Sequence, residues 1–173
     1  VLDPNSLFIT KRNEKQPAGV ACTAVFEGSR VFLVEIQALT IPAKSSISRV
    51  YSEKIESNRV ARIAAVIEKR CGLIFSDQDI YVNVAGGVRL SESAIDAALA
   101  AALYSARTDI PVPVKTAIFG ELSLAGEIRP VPKAKQRAKT ALNLGFSTVL
   151  ACEKESEIKR ISDIKGLVQE IFK

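Results

Sequence analysis

Residues 84–111, VAGGVRLSESAIDAALAAALYSARTDIP, set the tightest limit on what this chain can fold into. A β-rich run, residues 80–84, stops at Ala85-Gly86-Gly87, and an Ala-rich helix is expected from about Ser93 to Ala106. Two adjacent glycines permit positive φ and close backbone approach. Ser91 or Ser93 supplies a hydroxyl for the helix N-cap, and Asp96 a carboxylate for its first turn. Ala94, Ala97, Ala98, Ala100, Ala101 and Ala102, with Ile95, Leu99 and Leu103 between them, make the helix apolar on almost every side. Such a helix belongs in a core, with elements packed against it from more than one direction. A glycine loop feeding the head of a buried helix is also a common place for chemistry.

The 173 residues around it are 47% hydrophobic and 25% charged, enough for one globular domain with a proper core. No run approaches the roughly 18 apolar residues that span a bilayer. The chain starts at Val1 without a methionine, so we expect a domain of a longer protein. Cys22, Cys71 and Cys152 are far apart and in apolar surroundings, which suits buried free thiols in a reducing compartment. With no histidine, His-dependent triads and His-ligated metal sites are excluded within this segment, and no CxxC spacing exists.

Taken in order, residues 7–10 form a short extended piece before the polar run KRNEKQP. Two apolar, β-branched runs, 19–26 and 30–39, flank Glu27-Gly28-Ser29 and predict a β-hairpin. Residues 40–57, with Pro42 and the Ser-rich KSSISR, predict a mobile surface loop. Asn58 is placed as the N-cap of a helix that buries Val60, Ile63, Ala64 and Ile67 and ends at Gly72. After the central helix come a strand at 115–119 and short strands punctuated by Gly120 and Gly126. A helix follows, with Pro132 in its first turn and Gly145 at its end. A strand at 147–151, a short polar helix at 154–160 and an amphipathic helix at 164–172 complete the chain. The alternation predicts an α/β (α+β) fold with a mixed sheet and packed helices.

Chemistry is narrowed by what the motifs exclude. There is no GxxxxGK[ST] loop and no GxGxxG fingerprint, so Walker-type and dinucleotide phosphate binding are not expected here. The remaining nucleophilic option is a Ser–Lys pair, in which a desolvated neutral lysine takes the serine proton. The net charge of +5 is unevenly placed. Lys44, Arg49, Lys54, Arg59 and Arg62, continuing to Lys69 and Arg70, form one basic cluster, and Lys133, Lys135, Arg137 and Lys139 another. Each is either a solvated helix face, with Glu53, Glu56 and Glu68 near the first, or a phosphate-binding surface.

The strings VAGGVRLSESAIDAALAAAL, FGELSLAGEIRPV and KTALNLGFSTVLA resemble the proteolytic domain of Lon proteases. With LFITKR, LVEIQALTIP, NRVARIAAVIEKRCGL and DIYVNVAGGVRLSE, the chain is more similar to the Lon-like C-terminal domain of the RadA (Sms) family of bacterial DNA-repair ATPases. The resemblance covers essentially the whole chain. It implies the Lon proteolytic-domain fold, which is ribosomal protein S5 domain 2-like. It also implies a preceding part with a four-cysteine zinc finger and a RecA-like core using ATP and Mg, and a cytoplasmic bacterial setting, or an organelle in a eukaryote.

In active Lon proteases the serine of a PKDGPSAG motif heads the central helix, and the lysine of a GGLKEK motif opens a later one. Pro111, Gly120-Glu121, Gly126, Pro130 and Gly145 carry an ungapped register in which Ala94 stands at the nucleophile position and Arg137 at the base position. Alanine cannot attack a carbonyl, and arginine stays protonated at any ordinary pH. A one-residue shift would make Ser93 the nucleophile, with Lys135 or Lys139 as base. On the later helix, however, Arg137 borders the stripe of Ala134, Ala138, Ala141 and Leu142, Lys135 flanks the other edge, and Lys139 points away. The resemblance therefore implies a pseudo-peptidase with no cofactor of its own, serving as a platform for a homo-oligomeric, hexameric ring. DNA, single-stranded or branched, is its expected partner, and no membrane is. Lys44, Arg49, Lys54, Arg59 and Arg62 are the first choice for phosphate contact, and Lys133, Lys135 and Lys139 the second. Tyr51 is the only aromatic inside the first cluster, so backbone tracking is expected over base stacking. An active Ser–Lys peptidase and a ring scaffold without DNA contact are the alternatives.

Overall fold

Gly28 and Ser29 alone separate the two long strands of the predicted hairpin, which form the middle of the sheet. β1 (Val20–Glu27) and β2 (Arg30–Pro42) pair antiparallel from Val20↔Gln37 to Glu27↔Arg30. The computed structural model describes Ile9 and residues 15–172; the extended piece expected at 7–10, Ile9 apart, lies outside the described residues. β2 is longer than its apolar run suggested. It continues through Thr40 to Pro42 because β4 pairs with it as far as Pro42↔Gln78.

The segment read as one mobile loop is therefore a strand end, a tethered loop and β3 (Val50–Ser52). α1 (Ser57–Cys71) follows, and its start differs from expectation too. Glu56, not Asn58, is the N-cap, and its carbonyl accepts from the amides of Arg59 and Val60 at 2.9 and 3.2 Å. At the other end Gly72 takes the left-handed conformation predicted for it, φ 74°, and donates to the Glu68 carbonyl. Next come β4 (Gln78–Val84), a tight turn at Ala85–Gly87 and a second turn at Ser93–Ile95, from which α2 (Asp96–Thr108) continues.

Beyond α2 lie β5 (Thr116–Ile118), the small ladder β6 (Glu121–Leu122) with β7 (Ile128–Arg129), α3 (Ala134–Asn143) and β8 (Thr148–Ala151). α3 starts after Pro132, with Lys133 as N-cap at φ 62°. The polar helix expected at 154–160 is instead a pair of turns and β9 (Lys159–Arg160), a strand pairing parallel with β8. Ile158 and Ile161, three apart, are both buried, and Arg160 donates through Nε to the Cys152 carbonyl, which holds this stretch extended. α4 (Ile164–Ile171) closes the described chain, capped by Asp163, whose side chain accepts from the Gly166 amide at 2.7 Å.

The strand order is β3-β4-β2-β1-β5-β8-β9, with β4, β2 and β1 antiparallel to their neighbours in turn and the outer pairings parallel. The fold is α/β with a mixed sheet, as the alternation predicted. Strand alternation divides the interior in two. Ala21, Val25, Val34, Ile36, Ile80, Val82 and Val84 face α1, α2 and α4, whereas Ala24, Val31, Leu33, Ala117 and Val149 face α3.

α2 lies between the sheet and the α1/α4 layer, which accounts for its composition. A helix covered on both sides has room mainly for alanine, and Ala97 to Leu103 are all buried. Cys22 is buried, but Cys71 and Cys152, both free thiols, are only partly covered, contrary to the expectation of three buried thiols. Burial raises both of these thiols above their ordinary range, and the Glu153 charge helps push Cys152 up to about 11. Among the described residues, no helix is long and apolar enough to cross a membrane.

Candidate functional site

The head of α2 is held by backbone rather than by a side-chain cap. The Ala97 amide donates to the Gly120 carbonyl at 3.0 Å, and the Gly120 amide donates to the Ala94 carbonyl at 2.8 Å. Neither Ser91 nor Ser93 caps the helix, because that carbonyl already occupies an N-terminal amide. Gly120 can approach so closely only as glycine. Its φ is 147°, and a Cβ there would stand 2.5 Å from Cγ2 of Ile128.

Asp96 does more than favour the first turn. Its side chain is 1% exposed; Oδ2 accepts from the Leu122 amide at 3.1 Å, and Oδ1 takes Nη1 of Arg59 at 2.7 Å. Burial raises its carboxyl above the ordinary value of 3.8, against the opposing pull of the Leu122 amide and Arg59. One aspartate thus ties α1, the head of α2 and β6 together.

Ala94 is 1% exposed and packs with the α3-side cluster that includes Phe119, Val131, Ala138 and Ala141. Arg137, also 1% exposed, reaches in from α3. Its Nε donates to the Pro132 carbonyl and its Nη1 to the Ala24 carbonyl, both at 2.8 Å, while Nη2 pairs with Glu92. Glu92 uses its other oxygen, Oε2, to accept from the Phe26 amide at 3.0 Å. Glu92, which lies two residues before Ala94 and pairs with Arg137, links the two positions singled out on the sequence. Ser93 is half-buried, and no hydrogen bond joins its hydroxyl to a lysine among the described residues. Glu92 was not singled out on the sequence. Its position beside Ala94 was the available signal, but only the fold brings Arg137 to it.

The basic residues sort differently in space than in sequence. Lys44 and Arg49 are exposed on the β2–β3 loop, whose ends are pinned by the buried Asp79. Oδ2 accepts from the Lys44 amide at 3.4 Å and Oδ1 from the Arg49 amide at 2.9 Å. Lys54 is half-buried in a recess beside Tyr51. Arg62 is exposed on α1, but Arg59 is turned inward onto Asp96 and the Ser91 carbonyl, so its guanidinium is committed to the fold. Lys133, Lys135 and Lys139 are exposed and line an open groove along α3 with Gln136, Thr140 and Glu155. α3 and the Asp79-held loop lie on one side of the sheet, and α1 with Arg59 and Arg62 on the other.

Residues 34–155 match the family model described as subunit ChlI of Mg-chelatase. Over 149 residues the chain is 63% identical to the DNA repair protein RadA of Treponema pallidum (strain Nichols), covering 86% of this chain and 33% of that protein. The chain belongs to the family of that model and to the RadA proteins. It is 47% identical over 146 residues to RadA of Brucella abortus (strain 2308), with 84% of this chain and 31% of that one covered. For RadA of Rickettsia bellii (strain RML369-C) the identity is 39% over 175 residues, with 97% and 39% covered. The chain thus spans about a third of the length of the curated RadA relatives it matches. The head of α2, Glu92 and Arg137 all lie inside the segment that the family model covers.

Proposed function

We propose that this chain is a Lon-like pseudo-peptidase domain of a RadA-type DNA repair and recombination ATPase. In this reading it is a ring-forming platform, hexameric in the assembled protein, and a DNA-contacting module for branch migration. The observation that carries the inactive reading is the state of the two dyad positions. A buried methyl at Ala94 offers no nucleophile, and the Arg137 guanidinium, already protonated and donating to two carbonyls and Glu92, cannot accept a proton. The mixed sheet with a buried central helix supports the Lon and ribosomal protein S5 domain 2-like assignment, which we adopt. The remaining two thirds of the relatives' length is assigned to the zinc finger and to the RecA-like core that uses ATP and Mg, in a cytoplasmic protein. The name RadA, attached to relatives that match 84–97% of this chain, supports DNA as the partner.

The full-length protein tests each part. A serine-reactive fluorophosphonate should not label it, and casein should not be degraded; labelling that disappears in Ser93→Ala would establish the peptidase instead. Affinity for duplex DNA, measured across salt, should fall with a slope that flattens by about one unit for each phosphate contact removed. Because Arg59 is committed to Asp96, the informative variant is Lys44→Ala/Arg49→Ala/Arg62→Ala. Unchanged slope and affinity there, and in Lys133→Ala/Lys135→Ala/Lys139→Ala, would leave a scaffold without DNA contact.

A further inference from the structure

The part of the sheet that α3 does not cover carries a row of side chains no sequence cluster suggested. In β4, Ile80, Val82 and Val84 enter the α2-side core, so Asp79, Tyr81 and Asn83 point to the opposite face. Tyr81 stands in register with Leu39 of β2 on one side and Tyr51 of β3 on the other. The two tyrosine rings stack, with centroids 4.6 Å apart and planes 13° from parallel. Leu39 is 57% exposed and Tyr51 44%. Among the described residues β3 is the edge strand, so Tyr51 has Tyr81 against one face and no described strand beyond the other. Beside it lies a recess lined by Tyr51, Glu53, Lys54, Ser57 and Asn83. Asp79, on the same face, holds the amides of Lys44 and Arg49, which brings that exposed basic loop to the end of the row.

We propose that this row is a stacking platform for single-stranded DNA: a base lies on the open face of Tyr51, backed by Tyr81, with Arg49, Lys44 and Lys54 neutralising the adjoining phosphates. The proposal rests on the DNA-contact reading above and names the form of DNA and the residues that take it. A flat, partly exposed ring accepts the π-face of any base, and neighbouring cations follow the backbone; both are sequence-tolerant. Charge favours a polyanion here, since Lys44, Arg49 and Lys54 on the loop and recess outnumber the exposed Glu53 and Asp77, while Asp79 is buried and occupied by amides. Tyr51 was noted on the sequence as a lone aromatic. β4 supplies the second ring from thirty residues away, and the proposal departs from the expectation of backbone tracking over base stacking on that ground.

The test uses the full-length protein and an oligothymidylate carrying 5-iodouracil. Long-wavelength irradiation should crosslink the base to Tyr51, located by peptide mass spectrometry. Tyr51→Ala should weaken binding of oligothymidylate roughly tenfold while leaving duplex affinity and the salt slope unchanged, and Tyr51→Phe should retain the wild-type affinity. Loss of all DNA sensitivity to Lys44→Ala/Arg49→Ala/Arg62→Ala and to the three α3 lysine variants would remove the DNA reading and this proposal with it. If those variants weaken binding but Tyr51→Ala does not, and the crosslink falls elsewhere, the stacking proposal alone is overturned. Ring assembly that is lost in Tyr51→Ala, with single-strand affinity intact, would assign this face to a second copy of the chain and overturn it as well.

Discussion

Replacing Arg137 with alanine removes a guanidinium from a site where three hydrogen-bond acceptors converge on it. The carbonyls of Ala24 and Pro132 each lose a donor at 2.8 Å, and Glu92 loses its charge partner. Breaking a buried pair by removing one member costs about 3–5 kcal/mol, because the other charge is left uncompensated. Glu92 is 26% exposed and can be partly rehydrated, which favours the lower end, about 3 kcal/mol. For a chain of this size each kcal/mol is worth about 2–4 °C, so Tm should fall by about 6–12 °C. Urea unfolding followed by circular dichroism should show the same loss as a lower midpoint with an unchanged slope. Arg137→Lys keeps the charge but not the fork, and should fall between wild type and Arg137→Ala. Adding Glu92→Gln to Arg137→Ala should cost less than the two changes separately, since the second then removes a charge already unpaired. A loss below about 1 kcal/mol for Arg137→Ala, or strict additivity with Glu92→Gln, would refute the network as described.

Two further outcomes follow from other buried polar groups. Asp96 has a folded-state carboxyl raised above 3.8, so the native state holds its proton more tightly than the unfolded chain. Its contribution is therefore greatest below about 3.8 and is lost as pH rises through the raised value; wild-type stability relative to Asp96→Asn should decline with pH across that window, and an increase would contradict the dominance of burial. Thr23 is fully buried beneath α2, and its hydroxyl lacks a hydrogen-bond partner among the described residues. Thr23→Val keeps the shape and removes that unsatisfied group, so it should raise stability by about 1 kcal/mol in the same urea titration; a comparable loss would show that the hydroxyl is satisfied.

Local chemistry was readable wherever a short stretch decides it. The Gly28-Ser29 turn sets the central hairpin, Gly72 ends α1, and the alanine run makes α2 a helix that must be covered on both sides, because each depends on residues adjacent in sequence. The resemblance to the Lon proteolytic domain, in the register carried by Pro111, Gly120-Glu121, Gly126, Pro130 and Gly145, pointed to Ala94 and Arg137 as the positions to inspect. Helix starts were less legible, since tertiary carbonyls such as that of Gly120 can do what a cap would do. Likewise 154–160 has helical polarity, yet Ile158 within it and Ile161 just beyond it are anchored in the core with an edge strand between them.

Pairings across sequence distance were decided by the tertiary structure alone. The chain by itself determined that Arg137 borders an apolar stripe; packing α3 onto the sheet determined that Glu92 and the Ala24 carbonyl meet it. Arg59 and Arg49 read alike in one basic run, but α1 turns the first onto Asp96 while Asp79 holds the loop of the second on the opposite face. Tyr51 and Tyr81 lie thirty residues apart, and only the parallel register of β3 on β4 stacks them. The physical reason is common to all three. Hydrophobic period and turn chemistry are properties of neighbours along the chain, whereas a charge or a ring acquires its role from whatever the fold places within a few ångströms of it.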